Sequence, residues 1–385
     1  MNTLKKLIFL SLIAGLAFLT ACEEEDENKL SYKEGKEELT NLDSQMASDL
    51  EMMENSEGME AVSTLEGMKD PFSSQKSAGT TSVIKNIENF ALPVANNKQV
   101  KSLSDEPFDF DASTGTYTWD NADNSWNIDL NNPTDKIIIN FPADSNSMDN
   151  NNATLTIHDY EEVKITTTGS FGYTTTSYEP TKIVADLTID GSKYVEIDLT
   201  ASYNSMGSPE SMDVSVYLNP FTFSGSMTSE TQSTSLDYAI DYDGEQIFST
   251  GISATFLDDS MQEPETVDGY VQYRKIKVQV NINAENLMAL AEDLQSGETQ
   301  YESMEELEDA INKEIDATVS SDGNKIADIE LRYDQDIQDF KFVLVFNDGT
   351  EEDAEPYFDN FSSNLEELFD MIGLEMDNTF GDLKK

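Results

Sequence analysis

The chain is poor in the side chains that most often carry covalent, metal or phosphate chemistry. Its 385 residues hold one cysteine, one histidine, two tryptophans and 23 bases, against 76 acids. With Cys22 alone there is no second thiol for a disulfide, so a fold of this size must rest on packing. His158 is equally isolated, which removes Cys-His catalysis and His- or Cys-rich zinc sites and argues against a Ser-His-Asp triad. In "TLTIHDYEE" it alternates with Leu155 and Ile157, so it is expected to point to solvent. No Gly-rich phosphate loop with its lysine is present, and no HExxH.

The shortage of positive charge excludes another class. A formal charge of −53 repels DNA, RNA and anionic headgroups, and only Arg274 and Arg332 could grip a phosphate in bidentate fashion. No nucleic-acid partner is expected. Two carboxylates at suitable spacing could cleave a glycoside, but among 76 acids no chosen pair is distinguished. A non-enzymatic protein is therefore expected, with no cofactor. Asp109 and Asp111, Asp120 and Asp123, and Asp334, Asp336 and Asp339 offer oxygens for weak calcium binding, yet none fits the twelve-residue loop with its central glycine and terminal glutamate. Solvated surface is the expected role of these acids, and no metal ligand is assigned.

What the chain does have begins at its start. Lys5 and Lys6 precede the apolar run "LIFLSLIAGLAFL" (residues 7–19), which is shorter than the roughly 20 residues a spanning helix needs. It reads as a cleaved secretion signal covering residues 1–21. Its loss takes two lysines and no acid, leaving 21 basic and 76 acidic residues and a formal charge of −55 over 364 residues. "LTAC" (residues 19–22) resembles the lipobox of bacterial lipoproteins, whose cysteine becomes the acylated first residue. The resemblance implies a membrane anchor at Cys22, and several acyl chains would hold far more firmly than one. Glu23, Glu24, Glu25, Asp26 and Glu27 are similar to the acidic export signal of Bacteroidota lipoproteins. That implies the outer membrane with the protein facing the cell exterior; the periplasmic face is the alternative, with the acids a mere solvated tether.

Periodicity divides the rest. Residues 22–33 form the acidic tether, and residues 34–68 carry Leu39, Leu42, Met46, Leu50 and Met53 at helical spacing, predicting an amphipathic helix. Residues 69–104 read as a linker with a short helical segment. Residues 105–283 alternate, as in Val195, Ile197 and Leu199, in Ile137, Ile139 and Phe141, and in Ile276, Val278 and Val280, predicting an antiparallel β-rich core. Asp190-Gly191 and Asp243-Gly244 mark tight hairpins 53 residues apart that read as a repeat; Asp348-Gly349 is a hairpin outside it. Residues 284–385 supply a helix capped by Asn283, a second opened by Ser303 and running through Met304, Leu307, Ile311 and Ile315, a hairpin, and a last helix opened by Ser363, all packing on the same domain.

"GTYTW", "IIINFPAD", "NNATLTIHDY" and "PTKIVADLTIDG" together resemble a group of uncharacterised Bacteroidota lipoproteins over roughly residues 105–260. The resemblance implies an address and a sheet, without an activity. The expected fold is α+β, a curved antiparallel sheet of about ten strands covered on its apolar face by N- and C-terminal amphipathic helices. Trp119 and Trp126 flank a polar turn and are candidate contacts for a glycan or protein, or else a cross-strand pair in the core. Ser260 in "DSM" fits a weak three-residue O-glycosylation pattern. The expected function is a lipid-anchored envelope module, binding or structural, for a glycan or protein; the alternative is a carrier of lipid or another apolar ligand between sheet and helices.

Overall fold

The structure, a computed structural model, describes residues 29–40, 107–144, 148–168, 174–296, 301 and 303–358, with Thr64, Met68 and Pro71. The signal segment, Cys22, the tether up to residue 28 and the last helix lie outside the described residues. So do the rest of the helix expected to residue 68 and of the linker.

Sixteen strands form one sheet: β1 (Gly115–Asp120), β2 (Ser125–Asp129), β3 (Ile137–Phe141), β4 (Ala153–Thr168), β5 (Thr174–Ile189), β6 (Ser192–Tyr203), β7 (Pro209–Leu218), β8 (Phe221–Ser229), β9 (Ser233–Tyr242), β10 (Glu245–Phe256), β11 (Pro264–Tyr273), β12 (Ile276–Asn283), β13 (Ile315–Ser321), β14 (Asn324–Asp334), β15 (Asp339–Phe346) and β16 (Glu351–Asp353). From β16 back to β3 the strands lie in chain order, and beyond β3 come β1 and then β2 at the edge. The pairing of β1 with β3 is parallel, so the sheet is mixed.

This corrects the expected architecture. The sheet has sixteen strands instead of about ten, it is not wholly antiparallel, and helices are few: the described residues include α1 (Tyr32–Thr40), α2 (Phe110–Ser113), α3 (Ala284–Ser296) and α4 (Met304–Asn312), and residues 355–358 are helical as well. They do not form the continuous helical cover that was expected. The strand number was underestimated because several strands, such as "FTFSGSMTS" and "IDATVSS", carry Ser and Thr where apolar alternation was sought. Ile315, read as the last turn of a helix, is instead the first residue of β13.

The described residues fall into two compact units, with residues 107–226 and 241–245 in a central unit and residues 29–40, 227–240 and 246–358 in a C-terminal unit. In the central unit one sheet face is a buried apolar row: Ile137 and Ile139, Ile157, Ile183 and Leu187, and Ile197 and Leu199 are each no more than 2% exposed. Each such side chain contributes about 1.5–3 kcal/mol by leaving water. The other face is polar, with Thr156, Asp186, Glu196 and Asp198 alternating out of the same strands. His158 lies there, exposed and paired with Asp186, as the extra residue of a bulge between β4 and β5. At both Asp190-Gly191 and Asp243-Gly244 the two residues have positive φ, as the tight hairpin turn requires. The repeat is only partial in burial: Ile183 is fully buried, whereas its counterpart Leu236 is 48% exposed.

In the C-terminal unit α3 and α4 lie on one face of β11 to β14. Ile282, Leu287, Leu307, Ile311 and Leu331 form their common core, with Val280, Leu290 and Phe340 packed around it. The expected caps are present: Asn283 accepts from the Asn286 amide at 3.0 Å, and Ser303 from the Glu306 amide at 3.3 Å. At the opposite end of the same strands the N-terminal stretch is built in. Lys29 bridges Lys325 in parallel fashion, and the Asn347 amide donates to the carbonyls of Leu30 and Lys325, each at 2.9 Å. Helix α1 begins with a capping box not anticipated from the sequence, Ser31 and Glu34 each accepting from the other's amide. Gly35 packs so closely on Ile326 that a Cβ would stand 2.5 Å from its Cγ2. The far strand of this unit, β16, is three residues long and wholly acidic.

Candidate functional site

Trp119 and Trp126 meet at the end of the sheet. They sit directly opposite each other across β1 and β2, ring centroids 5.2 Å apart and planes at 66°, an edge-to-face pair. The turn between them is held by Asp120, whose carboxylate accepts the amides of Ala122 at 3.0 Å and Asp123 at 3.3 Å and the side-chain amide of Asn127 at 3.2 Å. Asn124 takes the left-handed conformation that closes it. Asn151 donates to the Trp119 carbonyl at 2.7 Å, fastening the hairpin to the loop before β4.

A tight crossing sets the hairpin on the edge. The chain leaves β2, passes over the start of β1 and enters β3 on its other side, which is why β1 and β3 run parallel. Gly115 lies under this crossing at φ 143°, and a Cβ there would stand 2.5 Å from the Asp129 carbonyl oxygen and 2.8 Å from the Leu130 Cα. Thr116 donates its hydroxyl to the Asn132 carbonyl at 2.7 Å, and the Gly115 amide donates to that of Lys136 at 3.0 Å.

The two rings have different fates. Trp119 is 5% exposed, behind β2, and its indole Nε1–H is buried without an acceptor. Such an orphan donor costs about 1–3 kcal/mol. Trp126 is half-buried, and the side chains on its side of the edge strand continue outward as Ile128, 37% exposed, and Leu130, 44% exposed. Of the two readings made from the sequence, the cross-strand pair is the one the structure shows: Trp119 is core, and Trp126 begins an apolar row on a strand beyond which no described strand lies. Ile128 and Leu130 were not singled out from the sequence; their same-side spacing from Trp126 was the available signal.

The remaining candidates are not gathered here. Cys22 lies outside the described residues. Ser260 is exposed in the turn after β10, where Asp258 accepts from its amide and hydroxyl; these bonds hold the Asp258 carboxyl below its ordinary range. Four of the carboxylates weighed for calcium serve neighbouring backbone: Asp109 caps α2, Asp120 accepts the Ala122 amide, Asp334 that of Asp336 and Asp339 that of Phe340. Among the described residues no three His, Cys, Asp or Glu side chains are grouped to hold a metal ion. No family model, curated protein or solved structure matches the chain.

Proposed function

We propose that this chain is a non-enzymatic lipoprotein of the outer membrane, anchored at Cys22 and facing the cell exterior, that binds a partner protein by taking an extended segment onto the edge of β2. The observation that carries the binding role is the apolar row of half-buried Trp126 and exposed Ile128 on the edge strand β2, continued by exposed Leu130 just past its end. An edge strand offers main-chain groups to a further strand, and pockets for alternate side chains give such binding its specificity. The burial of Trp119 favours protein over glycan, because the two rings together form no open platform for a sugar.

Charge narrows the partner. Asp120, Asp123 and Asp129 lie in the hairpin and Asp149 binds its turn through Asn121, while among the described residues 107–163 Lys136 is the only lysine or arginine. A segment alternating apolar residues with lysine or arginine complements both the row and its surroundings. The rival role as a lipid carrier gains no support where α3 and α4 meet the sheet, because that space is filled by the Leu287, Leu307 and Ile311 side chains.

The test is an array of extended peptides, apolar–lysine and apolar–glutamate, probed alongside glycans with the purified protein. Binding to the lysine series, lost in Trp126→Ala and Ile128→Asp, is expected; binding to glycans alone, or indifference to both substitutions, would reject the assignment. The anchor is tested separately by the mass of the Cys22 peptide. Exposure is tested by protease added to intact cells, where full protection would place the protein on the inner face.

A further inference from the structure

The way residues 29–40 are built into the C-terminal unit gives that unit a direction. Lys29 and Leu30 pair beside Lys325, Glu38 binds Lys275, and Lys36 and Tyr32 bind Glu352. All of these contacts lie at one end of the strands, the end carrying the β11–β12, β13–β14 and β15–β16 turns. Six residues lie between Cys22 and Lys29, so the span from one to the other is at most about 25 Å of extended chain. Along β14 the opposite end begins at Asp334, nine residues beyond Lys325, or about 30 Å at the rise of a strand.

The charges are sorted along the same direction. Of the ten lysines and arginines described in this unit, seven stand at the docked end: Lys29, Lys33, Lys36, Arg274, Lys275, Lys277 and Lys325. At the other end, residues 258–265, 284–316 and 333–340 carry sixteen described acids against three bases, Lys313 and the adjoining Arg332 and Lys341, which pair with Glu308 and Asp334. An acidic surface of that density is repelled by anionic lipid within a Debye length, about 10 Å at 0.1 M salt, whereas the docked end has acids and bases in comparable number.

We infer that the turn-bearing end around Lys29, Lys275 and Asp322 faces the lipid surface, and that the acidic end formed by α3, α4 and the β14–β15 turn faces away from it. The inference rests on the anchor proposed at Cys22, but two independent features give it a direction: tether reach and charge sorting. Tether length opposes the reverse orientation while residues 29–40 stay docked, since even fully extended the tether is about 5 Å shorter than the strands.

The experiment uses the full acylated protein in vesicles of phosphatidylethanolamine and phosphatidylglycerol containing headgroup-labelled nitroxide lipid. Fluorescent reporters are placed by Asp322→Cys or Ile337→Cys; both positions are exposed, at opposite ends. The Asp322→Cys reporter should lose most of its emission and the Ile337→Cys reporter almost none. Equal quenching, no quenching, or quenching only at Ile337→Cys in a protein shown by mass to be acylated at Cys22 would overturn the orientation and leave the anchor standing. An unmodified Cys22 would instead sink the anchor, and the orientation with it. Circular dichroism matching the parent chain confirms that each reporter variant is folded.

Discussion

At the scale of single residues, Gly115 and Trp119 carry the structure of the edge. Gly115 combines a positive φ with a chain crossing 2.5 Å from where a Cβ would be. Gly115→Ala is expected to destabilise the central unit by about 1–3 kcal/mol, the usual cost of a disfavoured backbone state, or more if the crossing cannot move. Gly191→Ala, at a positive φ but with open space around it, should cost less; denaturant midpoints that reverse this order would contradict the crossing. For Trp119 the orphan indole donor predicts an asymmetry. Trp119→Phe loses some buried area but also loses the unsatisfied N–H, so it should cost about 1–2 kcal/mol, while Trp119→Ala should cost about 3–5 kcal/mol. Equal losses would show that the donor is satisfied in solution. Much of this scale was legible: Ile137, Ile139 and Phe141 were placed inward by alternation alone and are fully buried. The role of Gly115 was not, because nothing local announces that residues 129–130 will cross over it.

At the scale of elements, the docking of α1 is governed by Glu352. Lys36 binds both its oxygens, at 2.7 and 2.8 Å, and Tyr32 and Tyr357 donate their hydroxyls to it. These bonds, that of Lys36 foremost, hold the Glu352 carboxyl down to about 2 from an ordinary value of 4.5. A carboxyl whose pKa is lower folded than unfolded contributes stability that is fully present above the unfolded value and is lost as pH falls through the folded one. The contribution of this cluster should therefore fade between about pH 4.5 and pH 2. Glu352→Gln should flatten that part of the stability curve and speed hydrogen exchange at residues 29–40 at neutral pH; unchanged exchange would show that the Asn347 bonds, the Glu38–Lys275 pair and the packing of Gly35 on Ile326 hold α1 without it. Helices α3 and α4 were legible down to their caps, since Asn283 and Ser303 advertise a local bond. Strands β8 and β13 were not, for after Phe221 and Phe223 the apolar alternation of β8 lapses into "SGSMTS", and in "DATVSS" Val319 is the one large buried side chain, with buried Ser321 where a further apolar residue was sought. The Trp pair was legible as a pair, but the division between a buried and a half-exposed ring depends on which strand is the edge, and that follows from the β2-to-β3 crossing.

For the whole molecule, the balance of 76 acids against 23 bases is the dominant fact. Folding concentrates like charges, and salt relieves their repulsion. Raising sodium chloride from low to physiological ionic strength should raise the melting temperature of the purified chain; a fall would mean that ion pairs such as Lys36–Glu352 and Arg332–Glu351 outweigh the net repulsion. The same acidity distinguishes the sheet's two borders. One ends in Glu351, Glu352 and Asp353, three residues that a neighbouring strand would have to approach against charge, while the other ends in Trp126 and Ile128. With the strand addition proposed at β2, the described sheet would be extensible at one border only and so would saturate without propagating: it would take one added strand, or close on a second copy as a finite pair, and head-to-tail growth into a fibre would stop at the acidic border.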